Sequence, residues 1–230
     1  VILFSGDMVG AGSNQPEWDL WFEAAGDVLA RRVLVPAHGN HEYLSVNYFA
    51  QWSLPHNEEW FDLRYEGLHI VSLNDTVRDQ DFLGEEATYV DDAFVSWPDA
   101  SWRLVLHHKG MYSACTRHGS NEGLRELWGP VIDAHQVDLV VAGHNHIYER
   151  SVPIRNGEGS EDGGTVYLVT GGAGAPLYSG VEDLWFTEMA ESVAHYVIGT
   201  LGAEEAEFVG RDLSDNVIDR FTLHREETAH

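Results

Sequence analysis

The chain has 230 residues, of which 43% are hydrophobic and 22% are charged, a composition typical of a folded globular protein and not of a disordered one. Thirteen basic residues stand against 38 acidic ones, and the formal charge of −25 argues against nucleic acid or an anionic membrane as an electrostatic partner. An acidic surface of this kind either keeps the protein soluble or adapts it to high salt, and both explanations stay open.

Strands and helices alternate in the first two thirds of the predicted element order. The apolar run at residues 1–4 predicts a strand, and residues 13–17 combine cap residues with an early proline, as is typical of a helix start. Apolar side chains then recur with helical spacing to residue 32. The next predicted elements are a strand at 33–35, a hairpin at 61–65 and 69–73, a helix at 85–95, a strand at 103–106, a helix at 121–135, and strands at 137–142 and 165–170.

Three strands are predicted to close the chain, at residues 194–201, 206–211 and 217–223. Alternating strands and helices followed by hairpins indicate an α/β layered fold whose sheets mix strand directions. Residues 155–164 are rich in Gly, Glu and Asp, which predicts a surface loop and not a domain boundary. We therefore expect a single domain over residues 1–230.

Four of the predicted strands end beside side chains that can bind a metal ion. The sequences at these ends are Gly6-Asp7, Gly39-Asn40-His41-Glu42, His107-His108 and Gly143-His144-Asn145-His146. Loops beyond the carboxyl ends of strands converge in open α/β sheets, even where their residues are far apart in sequence. A carboxylate, an amide oxygen and imidazoles suit Zn, Mn or Fe better than Ca or Mg. The pattern therefore predicts a metal site.

This ordered set of motifs resembles the calcineurin-like metallophosphoesterases. Their signature is Asp-x-His, Gly-Asp, Gly-Asn-His-(Asp/Glu), a histidine after a strand, and Gly-His-x-His. Residues 143–150, Gly-His-Asn-His-Ile-Tyr-Glu-Arg, are most similar to the purple acid phosphatase branch and its bacterial relatives. Residues 108–112 are similar to that branch's His-x-Pro-x-Tyr, with Gly110 in place of proline. The resemblance implies a four-layer αββα sandwich of two mixed β-sheets flanked by helices.

The resemblance also implies an activity and a set of metal ligands. The implied activity is hydrolysis of a phosphate mono- or diester, with a metal-bound hydroxide as the nucleophile, on two divalent or trivalent ions such as Zn, Fe or Mn. Asp7 matches the aspartate that bridges the two ions. Asn40, His108 and His144 match the other ligands of one ion, and His146 matches a ligand of the second.

Other positions match residues near the substrate. His41 matches the catalytic histidine that contacts the phosphate or protonates the leaving group, and Glu42 is expected to orient it. Neighbouring side chains of an extended strand point to opposite sides, so only one of His107 and His108 can face the ion. The spacing to Tyr112 favours His108 as the ligand. His118 is equally consistent with a phosphate contact and with a surface histidine.

The sequence departs from the family pattern in two places. The Asp-x-His motif would stand before Gly6-Asp7, and nothing precedes Val1, so we expect the chain to be truncated at its N-terminus. The second ion then keeps only Asp7 and His146, which are too few ligands for tight binding. Purple acid phosphatases have a metal-binding tyrosine three residues after the bridging aspartate, where this chain has Gly10. The tyrosine–iron absorption that causes the purple colour is therefore not expected.

Two other functions compete with a phosphoesterase. A catalytically weak remnant of the same fold, binding one metal ion or a phosphate, is the alternative. A zinc hydrolase of the metallo-β-lactamase type is rejected because it needs His-x-His-x-Asp-His, and Ile147-Tyr148-Glu149 follows His146. The expected partner is a small phosphorylated substrate, with no nucleic acid and no membrane. The resemblance favours an extracellular or periplasmic location, and the oligomeric state stays open.

Overall fold

The computed structural model describes residues 1–77 and 79–225, so the last five positions of the expected domain lie outside it. Within the described residues the helices are α1 (Gln15–Leu29), α2 (Val46–Gln51), α3 (Gln80–Ser96) and α4 (Glu122–Ala134). The strands are β1 (Ile2–Phe4), β2 (Leu34–Pro36), β3 (Phe61–Tyr65), β4 (Leu68–Ser72), β5 (Trp102–Lys109), β6 (Leu139–Gly143), β7 (Tyr148–Ser151), β8 (Ile154–Arg155), β9 (Glu158–Gly159), β10 (Val166–Thr170), β11 (Thr187–Glu191), β12 (His195–Leu201), β13 (Glu205–Asp212) and β14 (Val217–His224).

Cap residues determine where the helices on the large sheet begin. The Asp79 carboxylate accepts hydrogen bonds from two N–H groups in the first turn of α3, and the Asn121 side chain accepts one in α4. These bonds satisfy N–H groups that the first turn of a helix leaves without a partner. No helix of the described residues is both long enough and apolar enough to cross a bilayer.

The central layer is a seven-stranded mixed sheet in the order β11-β7-β10-β6-β5-β4-β3. Strands β4, β5, β6 and β10 run parallel, and the outer strands pair antiparallel. The second β layer comprises the parallel pair β1-β2 and the antiparallel sheet β12-β13-β14. Leu106 and Val141 of the large sheet share one core with Val35 of β2 and Phe208 of β13.

Helices cover both outer faces of these β layers. On the far side of the large sheet, Val105 and Val140 pack with Phe94 of α3 and Trp128 of α4. Trp18 of α1 packs in a separate cluster that includes residues of β1 and β2. This order of layers, helix, sheet, sheet and helix, confirms the predicted αββα sandwich.

The predicted elements are present, with bounds that shift by a few residues. The elements that the sequence did not predict are α2, β7, β11 and the hairpin β8-β9. That hairpin begins one residue before the expected surface loop at 155–164 and otherwise lies within it. These elements are short, between two and six residues, so periodicity gives little signal for them.

Candidate metal centre

Four of the predicted site residues meet at one end of the β layers. Asp7 follows β1, Asn40 follows β2, His108 lies near the end of β5, and His144 follows β6. The Nε2 atom of His108 lies 3.1 Å from Asp7 Oδ2, 3.0 Å from Asn40 Oδ1 and 3.2 Å from His144 Nδ1. Side-chain ligand atoms of Asp7, His108 and His144 all lie within 4.8 Å of one another.

The chemistry of these atoms fits a bound cation. His108 Nδ1 lies 2.6 Å from the Ser5 carbonyl oxygen, which can only accept, so Nδ1 carries the hydrogen. A neutral His108 ring therefore directs the lone pair of Nε2 toward Asp7, Asn40 and His144. Oxygen and imidazole donors directed at a common point are typical of Zn, Mn or Fe sites.

Asp7, Asn40, His108 and His144 form the cluster, and the charges of its members strongly affect one another. Burial opposes ionisation of Asp7, but the hydrogen bond and charge of His108 outweigh it and lower the pKa of Asp7. Burial likewise opposes charge on His108, yet its contact with Asp7 raises the His108 pKa. Burial and then the neighbouring histidines lower the pKa of His144 to about 3, so its ring is neutral near pH ~7 and can bind a metal. The Asp7 charge is thus balanced by a proton on His108 or by a cation in the same place.

The Glu42 carboxylate holds the Asp7 loop and does not contact the His41 ring, so the expectation that Glu42 orients His41 is wrong. Its Oε2 accepts the backbone N–H groups of Asp7 and Gly39, each at 2.8 Å. Its Oε1 accepts the N–H groups of the two residues after Asp7, at 2.6 and 3.3 Å. One buried carboxylate therefore joins the loops that follow β1 and β2.

These two loops approach each other so closely that a side chain between them is excluded. A Cβ atom on Gly39 would collide with the backbone nitrogen and Oδ1 of Asp7. Asp7 and His144 have φ angles of 56° and 62°, in the left-handed region that side-chain-bearing residues adopt at a cost. Backbone strain of this kind is common where surrounding contacts hold a functional residue in place.

His41 stands at the open side of the cluster, with its side chain 50% exposed. Its Nδ1 lies 2.7 Å from the Gly10 carbonyl oxygen and therefore carries the hydrogen of the neutral ring. Its Nε2 lies 4.0 Å from Asp7 Oδ2, and its backbone N–H donates to Asp7 Oδ1 at 2.8 Å. The ring is thus held next to the cluster and is accessible from solvent.

His108, and not His107, faces the cluster. The His107 ring points away, with Nδ1 at 2.8 Å from Asp75 Oδ2 and its edge against Trp128. The register of β5 against β6 shifts between Leu106 and Lys109, the stretch that contains the two histidines. The alternation of the strand and this irregularity together separate the two rings.

The two remaining predicted histidines lie beside the cluster, around Tyr178. His146 is outside the three-residue ligand group found among the described residues; its Nδ1 lies 2.8 Å from the Pro176 carbonyl oxygen and its ring stacks on Tyr178 at 4.2 Å. The His118 ring lies 4.1 Å from that of His144, and its Nε2 is 3.4 Å from the Tyr178 hydroxyl. His118 is thus a neighbour of the cluster.

Sequence reasoning missed Asp75 as a residue of the site. Asp75 stands three residues beyond the end of β4, the strand next to β5, and its position after a strand end was a signal comparable to that of Asp7.

Comparison with known proteins gives a family match over most of the chain. The model of the calcineurin-like phosphoesterase family matches residues 1–148. Purple acid phosphatase 22 of Arabidopsis thaliana is 28% identical over 194 residues, covering 76% of this chain and 44% of that protein. The phosphoenolpyruvate phosphatase of Allium cepa is 27% identical over 203 residues, covering 76% of this chain and 40% of that protein.

A solved structure shares the fold. The purple acid phosphatase isolated from yellow lupin (Lupinus luteus) seeds aligns with a TM-score of 0.81 at 20% sequence identity, covering 98% of this chain and 46% of that one. The chain therefore spans less than half the length of these relatives. The family match, which covers more than half of the chain, agrees with the order of the strand-end motifs. The chain belongs to the calcineurin-like phosphoesterase family, near its purple acid phosphatase branch.

Proposed function

We propose that the protein is a metal-dependent phosphoesterase that hydrolyses a phosphate monoester or diester of a small substrate. Membership of a family of phosphoric ester hydrolases supports this reaction class. The observation that carries the proposal is the convergence of four side chains at the strand ends. Ligand atoms of Asp7, Asn40 and His144 lie 3.1, 3.0 and 3.2 Å from His108 Nε2.

These residues define where metal would be held. Asp7, Asn40, His108 and His144 would bind one ion, and Asp7 and His146 would contribute to a second. His146 donates through Nδ1 to a backbone carbonyl, so in the neutral ring Nε2 carries the lone pair. When bound, a pair of such ions stabilises both the attacking and the leaving oxygens of an in-line displacement at phosphorus.

The histidines around the cluster supply the remaining chemistry. Gly10 fixes the His41 ring through Nδ1 and leaves Nε2 on the side of Asp7, where a substrate phosphate would lie. A protonated His41 would donate to the leaving oxygen through Nε2. His118, beside His144, would offer a second imidazole to the phosphate from the other side of the cluster.

A catalytically weak protein with one metal ion is the second candidate. The observation that favours it is the position of His146, which stacks on Tyr178 and lies outside the ligand group within the described part of the chain. Metal stoichiometry and turnover, measured on the same samples, separate the two candidates.

The test is hydrolysis of p-nitrophenyl phosphate and of bis(p-nitrophenyl) phosphate by purified protein, after metal removal and after reconstitution with Zn, Mn or Fe. We expect activity to disappear with the metal and to return with at least one of these ions. Asp7→Asn should lose metal and turnover together, whereas Asp62→Asn on the edge strand β3 should lose neither. Activity in metal-free protein, or in Asp7→Asn at the wild-type level, would contradict the proposal. Bound metal without hydrolysis of either ester would favour the weak one-metal protein.

A further inference from the structure

A fully buried carboxylate that belongs to none of the family motifs lies behind the metal-ligand cluster. Asp75 follows β4, and its side chain has 0% exposure. Its Oδ2 atom accepts three hydrogen bonds: from His107 Nδ1 at 2.8 Å, from the backbone N–H of His108 at 3.1 Å and from that of Lys109 at 2.5 Å. All three donors belong to consecutive residues of β5.

Asp75 accepts backbone N–H groups of β5 beyond the point where the pairing of β5 with β4 ends. The pairing of β4 with β5 stops at Ser72 opposite Leu106, two residues before His108. Successive N–H groups of a regular strand point to opposite neighbours, so one oxygen can accept from both His108 and Lys109 only where the strand is irregular. The register of β5 against β6 shifts at this point, between Leu106 and Lys109.

The same residue also fixes the directions of the two histidine rings. It holds the His107 ring on the helix side of the sheet, where that ring packs against Trp128. The side chain of the next residue, His108, is then directed to the opposite side, toward the cluster. Lys109 Nζ donates to the backbone carbonyl oxygen of Asp75 at 2.6 Å, which ties the end of β5 to the Asp75 turn a second time.

We propose that Asp75 is a positioning residue for the metal centre: it holds the irregular end of β5 so that His108 presents Nε2 to the metal. Asp75 contacts the backbone of His108 and not its ring, so it acts on the ligand through the strand. The inference rests on the proposed function to the extent that His108 binds metal.

Two variants of Asp75 separate the shape of the side chain from its charge. Asparagine retains one oxygen that can occupy the position of Oδ2, whereas alanine removes the acceptor for all three donors. Residues that orient metal ligands typically contribute about 10- to 100-fold to metal affinity, so Asp75→Ala should weaken Zn²⁺ or Co²⁺ binding by about that factor. Asp75→Asn should weaken it by about 3- to 10-fold, because a neutral oxygen accepts less strongly than a carboxylate.

Asp62 provides the matched control. Its carboxylate also accepts three donors, from Tyr89, His69 and Arg64, but it lies on the edge strand β3. Asp62→Ala should lower stability without changing metal affinity. The absorption spectrum of bound Co²⁺, which reports ligand geometry, should change in the Asp75 variants and stay constant in the Asp62 variants.

Hydrogen exchange of backbone amides measures, without any metal, how firmly Asp75 holds the end of β5. In metal-free protein, the backbone amides of His108 and Lys109 should exchange faster in the Asp75 variants than in wild type or in Asp62→Ala. If wild-type protein binds no metal, the proposed function fails, and this exchange measurement still decides whether Asp75 holds the strand end.

The inference is overturned if Asp75→Asn binds Co²⁺ within about a factor of two of wild type with an unchanged spectrum. It is equally overturned if Asp62→Ala weakens metal binding as much as Asp75→Ala, or if exchange at His108 and Lys109 does not change. Should Asp75→Ala fail to fold, the affinity and spectrum of Asp75→Asn decide alone.

Discussion

Replacing Glu42 with glutamine should destabilise the protein, because four backbone N–H groups depend on the two oxygens of this carboxylate. Glutamine keeps one oxygen and turns the other into an NH₂ group, so two of the four donors lose their acceptor. A buried unsatisfied donor costs about 1–3 kcal/mol, which gives about 2–6 kcal/mol for the pair. Burial and the charge of Asp7 both raise the pKa of Glu42, and removing the Glu42 charge relieves these two costs. We therefore expect the lower half of that range.

The assay is equilibrium urea unfolding of Glu42→Gln and wild type, with and without bound metal. A larger loss in the presence of metal is expected, because the Asp7 loop carries a metal ligand and Glu42 holds that loop. A loss of less than about 1 kcal/mol would refute the reasoning, since each N–H group would then have found another acceptor.

Glu86 is the matched control for this substitution. It is also a buried glutamate, but its carboxylate accepts only the N–H of Asn74 among the bonds described, and burial with the charges of Asp75 and Glu59 raises its pKa well above 4.5. The folded state therefore releases this proton at higher pH than the unfolded state, so wild type loses stability as pH rises above the ordinary glutamate pKa. Glu86→Gln should be at least as stable as wild type at pH ~7, with a difference that grows by up to about 1.4 kcal/mol per pH unit between pH 4.5 and the raised pKa of Glu86 in the folded state. A difference in the free energy of unfolding that does not change with pH would contradict a raised pKa of Glu86.

Three further outcomes follow from the site and the surface. His41→Ala in active enzyme should keep its metal and lose about 10²–10⁴-fold in turnover, with a smaller loss for aryl than for alkyl phosphates, and loss of the metal would make His41 a ligand instead. Gly39→Ala should cost about 1–3 kcal/mol or more and weaken metal binding, because its Cβ meets Asp7, whereas Gly26→Ala in α1 meets nothing within 4 Å and should add about 0.5–1 kcal/mol in urea unfolding. If the charge of −25 is an adaptation to salt, the melting temperature should rise between low and about 1 M NaCl, and a flat or falling curve would leave only a solubilising role.

The position of the candidate site could be predicted because its residues follow strands. Apolar runs locate β1, β2, β5 and β6 in the sequence, and a polar motif comes at or just after the end of each. Loops beyond the carboxyl ends of strands converge in α/β folds, so the four motifs could be expected to meet, and the family resemblance then selected Asp7, Asn40, His108 and His144 among their residues.

The hydrogen bonds that Glu42 and Asp75 make could not be predicted, because their partners are backbone groups distant in sequence. Glu42 accepts N–H groups from residues 33 to 35 positions earlier, and Asp75 accepts them from residues 33 and 34 positions later. Backbone donors leave no mark in the sequence, since every residue except proline has one. His41 beside Glu42 therefore suggested a side-chain pair that the fold does not make.

Strand β7 shows a second reason why part of the fold could not be predicted from the sequence. Strand β7 begins two residues after the end of the Gly-His-Asn-His motif and contains Glu149 and Arg150, so its composition does not predict a strand. Glu149 is nevertheless buried, where Ser113 Oγ and the backbone N–H of Ala114 donate to its carboxylate. Tertiary hydrogen bonds thus overrode the low strand propensity of a charged residue.

Anomalous X-ray scattering from crystals of the protein soaked with Zn²⁺ or Mn²⁺ tests the metal centre most directly. A bound ion should give a peak about 2.0–2.2 Å from an Asp7 carboxylate oxygen, from His108 Nε2 and from a ring nitrogen of His144, with Asn40 Oδ1 completing the set. In Asp7→Asn crystals the peak should be lost or greatly weakened. A peak that avoids Asp7 and His108, or no peak at saturating metal, would contradict a metal-dependent phosphoesterase built on these four residues.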